Sequence, residues 1–427
     1  MAARMPLACR RLPPAIRIEI MHSTDHDRLG SMTASERRAA VGLAAIFGSR
    51  MLGLFIILPI FAVYADQLEG STPLLVGLAL GAYGLTQALL QIPFGLLSDR
   101  WGRRPVIAAG LLLFILGSVV AALSDHIYGV ILGRLLQGSG AISAAVMALA
   151  ADLTRDSQRS KIMAVIGISV GGAFLLALGL GPLVAGWSGL GGVFWTTALL
   201  ATLALVLLFV LVPRGQAVAA PDRADFAVVL RSPDLLRLCG GIFMLHLILT
   251  AGFVALPVVL QDHLGVSRDQ HWLVYLPVLL LSVPAMVPVI AYGERRRQMH
   301  RVLPAVVLAL ALIELVLALG LASKWLIVLA LWAYFSTFNI LEASLPSLVS
   351  RVAPPQHKGA ALGVYSTAQF VGAFVGGLLG GGLHGQFGVS GVFLLGAAAA
   401  GIWFVFAMGQ SVAVPQHAPA SSALPKG

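Results

Sequence analysis

Five ionisable residues lie deep inside otherwise apolar stretches: Arg50, Arg134, His246, Glu314 and Glu342. A charge near the bilayer centre costs at least about 2.5–3.5 kcal/mol, so each is read as functional unless a partner accounts for it. Glu342 is the best candidate for carrying a proton, with a permanent Arg50–Glu342 ion pair as the alternative. His246 is either a satisfied histidine or a proton switch. Arg134 is within reach of polar neighbours such as Gln87 or Gln91, which would satisfy it. Tyr83-x3-Gln87 and Tyr365-x3-Gln369 each stack on one helical face.

A different kind of signal is Gly95-Leu-Leu-Ser-Asp99-Arg100-Trp101-Gly102-Arg103-Arg104-Pro105, a tight turn that sets an acid beside three arginines. Asp99 would meet the favourable end of the following helix and cap it. No phosphate-cradling loop, metal cluster or nucleophile with a base at readable spacing occurs, so the sequence supports neither an enzyme nor a cofactor or metal. Cys9 and Cys239 are too far apart to suggest a disulfide framework.

The elements that must position these residues dominate the chain. Of 427 residues, 58% are apolar and 11% charged, and the mean hydropathy is +0.91. A soluble domain carries about 25% charged residues, so a soluble enzyme, a disordered chain and a fibrous one are excluded. A bilayer core of about 30 Å needs about 20 apolar residues per helix. Twelve such stretches follow: 41–65, 74–98, 105–123, 126–151, 161–187 and 191–212, then 237–261, 271–293, 301–322, 325–350, 358–384 and 389–410. They are spans one to twelve below. The turns between several of them are too short for strand pairing, and the signal is helical rather than that of a barrel.

Of the 28 Lys and Arg, 24 fall in the termini and even-numbered connections, two (Arg268 and Lys324) in odd ones, and two inside spans. By the positive-inside rule both termini face the cytoplasm of a cell inner (plasma) membrane protein. The net charge of +10 is thus scattered over inner loops, which removes nucleic acid as a partner. Residues 1–40 read as a cytoplasmic, disordered tail without a secretory signal. Residues 213–236 read as a cytoplasmic linker between bundles 41–212 and 237–410, and 411–427 as a C-terminal tail. Phe55-Ile-Ile-Leu-Pro59 returns as Phe253-Val-Ala-Leu-Pro257, 198 positions later, and Gly95 falls on Gly293 at the same offset. Two parallel repeats place a substrate site near the midplane between them, with access alternating by rocking.

The Gly95–Pro105 turn resembles the Gly-x-x-x-Asp-Arg-x-Gly-Arg-Arg/Lys motif between helices two and three of the major facilitator superfamily. Gly133-Arg134-Leu-Leu-Gln137-Gly138-Ser-Gly140-Ala141 is similar to its helix-four arginine motif. Tyr83–Gln87, Ala148–Arg155, Phe338-Asn339-Ile-Leu-Glu342 and Gly363–Gln369 resemble the YajR-type branch of its drug:proton antiporters. The similarity runs over roughly residues 32–410. The helix-five antiporter motif is kept only in part: Gly181-Pro182 and Gly186 remain, while Ala177 and Ala185 stand where glycine is preferred. Members of that branch carry a ferredoxin-like domain after helix twelve, and none is expected in the short stretch after Met408.

The resemblance implies an all-α polytopic membrane protein, twelve helices in two six-helix bundles with pseudo-two-fold symmetry. It implies a monomeric, proton-coupled exporter of small amphipathic or drug-like molecules. A proton-linked importer or uniporter of a metabolite, and a non-transporting sensor, are the alternatives. Spans one, seven and ten would line the cavity, so Arg50, His246 and Glu342 would meet there, near Asn339. Arg134 would be a cavity cation acting on a nearby carboxylate. Span nine would lie in the outer ring, where Glu314 is paired or snorkels. Tyr83, Gln87, Tyr365 and Gln369 would be gating contacts or interhelical glue. Gly95, Asp99, Arg100, Gly102, Arg103 and Arg104 would form a conformational switch, with Arg103 and Arg100 pairing with Asp152 when the transporter is open outward.

Overall fold

Thr33 and Glu36 cap each other: Glu36 N donates to Thr33 Oγ1 (3.2 Å) and Thr33 N to Glu36 Oε2 (2.8 Å). This capping box starts the first helix at Ala34, inside the stretch read as a tail. The computed structural model describes residues 32–213 and 226–409. Residues 1–31 of the tail, most of the linker and the C-terminal tail lie outside the described residues.

Span one consists of α1, Ala34–Phe55, and the short α2, Phe61–Tyr64. Spans two and three are α3, Pro73–Trp101, and α4, Arg103–Ala122. Span four is α5, Ile127–Ser139, and α6, Ser143–Asp152. Spans five and six share α7, Asp156–Val210. After α8, Phe226–Leu230, spans seven to ten are α9, Pro233–Asp262, α10, Trp272–Arg295, α11, Met299–Leu319, and α12, Lys324–Val352. Spans eleven and twelve share α13, Lys358–Met408. No strand occurs among the described residues.

A straight helix as long as α7 would reach about 80 Å at 1.5 Å per residue, twice the full bilayer. It is broken at Gly189 (φ 65°, ψ −170°), and α13 at Gly388 (φ 65°, ψ −162°). That backbone region is essentially glycine's alone. The two breaks occupy matching places in a repeat that the span-one match only hinted at. Gly181, Gly186, Gly189, Gly192 and Val193-Phe194 reappear in the same spacing as Gly380, Gly385, Gly388, Gly391 and Val392-Phe393. With both breaks counted, the described helices make twelve crossings in two halves.

Two spans expected to be continuous are interrupted. Pro59 cannot donate, and Phe55 O accepts from Leu58 N instead (3.0 Å). Span four loosens at Gly140–Ile142, where Ala141 N bonds Ser139 O and Ile142 N bonds Gly140 O, each at 2.9 Å. A Cβ on Gly140 would meet the Gly110 carbonyl of span three, so two backbones touch at this break.

In the N-terminal half α1 packs on α7 and α4 on both α5 and α7; in the C-terminal half α13 packs on α9 and α11, and α10 on α12. Large apolar side chains such as Leu89, Leu116 and Leu199 stay exposed on the outer faces, as a lipid solvent requires. Trp187 and Trp325, both 86% exposed, stand at span ends facing the charge-poor side, where indole rings favour the membrane–water boundary.

The halves meet at the charge-poor end. Spans two and eleven touch backbone to backbone: a Cβ on Gly81 would lie 2.7 Å from Phe374 O, and one on Gly84 2.6 Å from Phe370 O. Gly77 faces Gly377 and Gly381 in the same seam. Without side chains between them, dispersion contacts hold the helices where no hydrophobic effect operates. At the basic end, by contrast, a Cβ on Gly167, Gly171 or Gly172 of span five, or on Gly359 or Gly363 of span eleven, would have nothing within 4 Å. The halves are closed at one end and spread at the other.

Gly81→Leu should prise the seam open. Spin labels at Thr72 and Gln386, in a chain freed of Cys9 and Cys239, should report a longer mean separation than in the parent. An unchanged distance distribution would mean that another contact holds this end shut.

Candidate functional site

Glu342 of α12 and His246 of α9 face each other, with His246 Nδ1 4.0 Å from Glu342 Oε2. On its other side His246 Nε2 lies 2.8 Å from Gln369 Nε2 of span eleven. When the Gln369 amide donates there, the ring proton sits on Nδ1, towards the carboxylate, and a closure of about 1 Å completes a hydrogen bond. The Glu342 side chain is 38% exposed, against 12% for His246. The carboxylate atom Oε2 that faces His246 is itself buried and has no hydrogen-bond partner. Phe338, one helical turn from Glu342, stacks loosely on His246 (centroids 6.1 Å apart). Phe338 also meets Phe174 of span five at 6.3 Å, which brings an aromatic wall from the opposite half.

The expectations for Arg50, Arg134 and Glu314 are corrected. Arg50 does not join it: Arg50 Nη2 donates to Gln87 Oε1 (2.8 Å) and to Gly140 O (2.7 Å), the carbonyl loosened by the break in span four. Arg134 has no carboxylate beside it either, since its donors go to Ala79 O, Leu80 O and Gln137 Oε1. Asn339 donates to Ser282 Oγ of span eight at 2.8 Å, tying helices within one half. Glu314 is 1% exposed and lies against Gly396 of span twelve, in no ion pair among the described residues, so it neither pairs nor snorkels.

The two tyrosine–glutamine pairs do not meet across the cleft. Tyr83 donates to Gln87 Oε1 (3.1 Å), and Gln87 Nε2 to Gln91 Oε1 (2.7 Å), all inside the N-terminal half. Gln369 serves His246, while the buried Tyr365 hydroxyl has no hydrogen-bond partner. Of these four residues, Tyr83 does reach the other half: its ring and that of Phe370 sit 6.1 Å apart, edge to face.

At the basic end, Arg103 collects the charge of the Gly95–Pro105 turn. It pairs with Asp99, donates to Ser98 Oγ (2.8 Å), and sets Nε 3.2 Å from Asp152 Oδ2. The expected Arg103–Asp152 pair therefore forms, but in a molecule closed at the charge-poor end, so it is not confined to the opposite state. Asp99 does not cap span three; Gly102 (φ 93°) occupies that position and Asp99 is spent on Arg103. Arg100 is exposed and forms no ion pair with Asp152. Arg104 turns to span six, where Nη2 donates to Leu208 O (2.6 Å) and the guanidinium lies 5.5 Å from the Phe209 ring. Gly95 keeps spans two and four close, since a Cβ there would stand 3.3 Å from Ala144 Cβ.

Two ion pairs were missed at sequence level. Glu36, 4% exposed, accepts from Arg155 Nε (2.9 Å), Nη2 (2.8 Å) and N (3.1 Å), tying the start of span one to the end of span four. That bond raises the Arg155 guanidinium above its ordinary pKa. The capping-box spacing of Thr33 and Glu36 was a readable signal of the helix start, but not of this long-range partner. At the charge-poor end Arg268 crosses between halves. Its Nη1 donates to Val63 O (3.3 Å), stands 3.9 Å from Asp66 Oδ1, and its guanidinium lies 4.9 Å from the Tyr64 ring. The helix-five residues serve the same end: a Cβ on Gly181 would come within 2.6 Å of Ile56 O, and one on Gly186 within 3.0 Å of Asp269 Cβ. Pro182 lies inside α7 between them. A depression of ≈ 340 Å³ opens here, lined by Tyr64, Gln67, Gly186, Arg268 and Asp269 among others.

Comparison with known proteins gives consistent findings. The family model described as Major Facilitator Superfamily matches residues 43–373 and 300–426. The inner membrane transport protein YajR of Escherichia coli K12 is 47% identical over 381 residues, 88% of this chain and 84% of that protein. The multidrug resistance protein MdtH of Aeromonas hydrophila is 26% identical, over 78% of this chain and 84% of that one. Among solved structures, a D-xylose-proton symporter superposes with a TM-score of 0.71 at 17% identity, covering 86% of this chain and 96% of the symporter.

Proposed function

Since the chain belongs to the major facilitator superfamily, whose members are multi-pass membrane transporters and not enzymes, we propose that it is a proton-coupled exporter of small amphipathic or drug-like molecules. The observation that carries the coupling is the Glu342–His246–Gln369 cluster, a mid-span carboxylate facing a histidine that a glutamine holds from its other side. A proton carrier has to reach each side of the membrane in turn, and a group on a cleft-facing helix between two rocking bundles meets that need. The basic end, where the halves are spread, is the cytoplasmic side on the charge bias, so substrate enters the cleft from within. Proton uptake at Glu342 follows when the seam of spans two and eleven opens to the other face. Phe174, only partly buried and in contact with Phe253 (6.4 Å) and Phe338 (6.3 Å), offers an apolar face backed by buried rings and suited to a drug-like ligand. The name of MdtH points the same way, and the protein acts as a monomer in the inner membrane with both termini cytoplasmic.

Ala177 and Ala185, where the antiporter motif prefers glycine, leave the direction of transport open to the rival reading of import or uniport. Flux in proteoliposomes, with and without a pH gradient, separates exchange, co-transport, uniport and a sensor that moves nothing.

Glu342→Gln keeps the shape of the side chain but cannot cycle a proton. Gradient-driven transport should be abolished in this variant while substrate binding survives, and His246→Ala, measured beside it, should retain uphill transport if the carboxylate alone carries the proton. Uphill transport by the glutamine variant would make Glu342 structural.

The Asp99–Arg103–Asp152 group is partly exposed and contributes about 0–1 kcal/mol per pair, enough to bias two states and too little to decide folding. Asp99→Asn should therefore express and bind substrate at parental levels but transport poorly; parental transport would reduce the turn to a topology signal.

Orientation is checked by cysteines placed at Ser232 and Ser188, which an impermeant thiol reagent should label from opposite faces. Labelling of both from one side would overturn the assignment.

A further inference from the structure

The N-terminal half holds two buried positive charges and, among the described residues, no negative charge paired with either. Arg50 is 0% exposed and Arg134 1%. Their guanidinium carbons lie 5.7 and 5.2 Å from the centre of the Tyr83 ring. Every group hydrogen-bonded to them is neutral: Gln87, Gln137 and the carbonyls of Ala79, Leu80 and Gly140. The next groups outward, Gln91 and Ser118, are neutral as well. Burying a cation without a counter-charge is among the costliest arrangements a protein can hold.

Arg50 is also incompletely used. Its Nη2 makes both bonds, while Nε and Nη1 are buried with no partner. Beside it span four is broken, and α6 starts at Ser143 with no side-chain cap. The first N–H groups of a helix have no intrahelical acceptor and carry partial positive charge. Ser143 Oγ, on the first residue of that helix, is a third buried donor without a partner. The Gly140 carbonyl that Arg50 holds lies only three residues before it. Unused guanidinium donors, an unused hydroxyl and an uncapped helix start thus share one break in one span.

We infer that this break is an anion site, in which a monovalent anionic group is held by Arg50 Nε and Nη1 and by Ser143 with the N-terminal turn of α6. Arg134, on the other side of Tyr83, adds charge without contact. The anionic group is either a free halide or the carboxylate of a transported molecule. The site stands apart from Glu342 and His246, and its occupancy does not depend on proton coupling.

The test is thermal melting of the purified full-length protein in detergent at fixed pH and ionic strength. The sodium salt of a bulky sulfonate is replaced stepwise by chloride, bromide or benzoate. A saturable rise in melting temperature with chloride and bromide identifies a free halide; a rise with benzoate alone identifies a carboxylate. Arg50→Gln should weaken the response by about tenfold or more in midpoint concentration, the scale of one lost charge-assisted hydrogen bond. Should that variant not fold, Ser143→Ala, which keeps both cations, should still weaken it, and Glu342→Gln should leave it unchanged. Equal melting in all four salts, or an undiminished response in Ser143→Ala and Arg50→Gln, would overturn the site.

Discussion

Spans two and eleven touch through their backbones, and the rest of the molecule is arranged around that contact. Gly77, Gly81 and Gly84 bring α3 against α13 with no side chain between them. With the two six-helix units joined so closely at one end, they are spread at the other. The spread at the basic end and the free flank of span five go with that geometry. Arg268 reinforces the same end by binding a carbonyl and an aromatic face of the opposite half, contacts that need no matched carboxylate.

The polar groups within the bilayer are divided by half. The buried cations, Arg50 and Arg134, lie in the N-terminal half among amides and carbonyls; the mid-span carboxylates, Glu314 and Glu342, lie in the C-terminal half with His246, and unpaired polar atoms occur in both. Gln87 and Gln369 occupy comparable positions on the two seam helices, yet each turns inward to its own half, to Arg50 and to His246. The seam itself is therefore apolar. That suits a contact which must break and re-form, since separation strands no buried hydrogen bond.

The twelve crossings were legible because each needs a long apolar run, and the turns near 188–190 and 385–388 could be placed to within a residue or two. The glycine spacing that repeats around Gly189 and Gly388 is as open to reading as the match between Phe55 and Phe253. The partners of Arg50 and Arg134 were not legible. Gln87 and Gly140 are 37 and 90 positions from Arg50, and Gly140 is available only because span four breaks where the sequence offers no proline. Glu342 and His246 were brought together by the family resemblance alone. Arg268 entered the reading merely as one of two basic residues on the wrong side, when its rarity there was the signal.

The single-residue breaks at Gly189 and Gly388 leave two of the six connections on the charge-poor face with nothing to protrude. The connections at Leu123–His126 and Gly320–Ser323 are hardly longer. Proteases, antibodies and phage search a surface for loops they can grip, and this one offers them mostly helix ends and lipid-level tryptophans. A binder raised against the intact protein on that side has little to hold apart from the segments 65–72 and 263–271. Both segments belong to the closure between the halves, so a molecule that recognises this face would also arrest the protein in one shape.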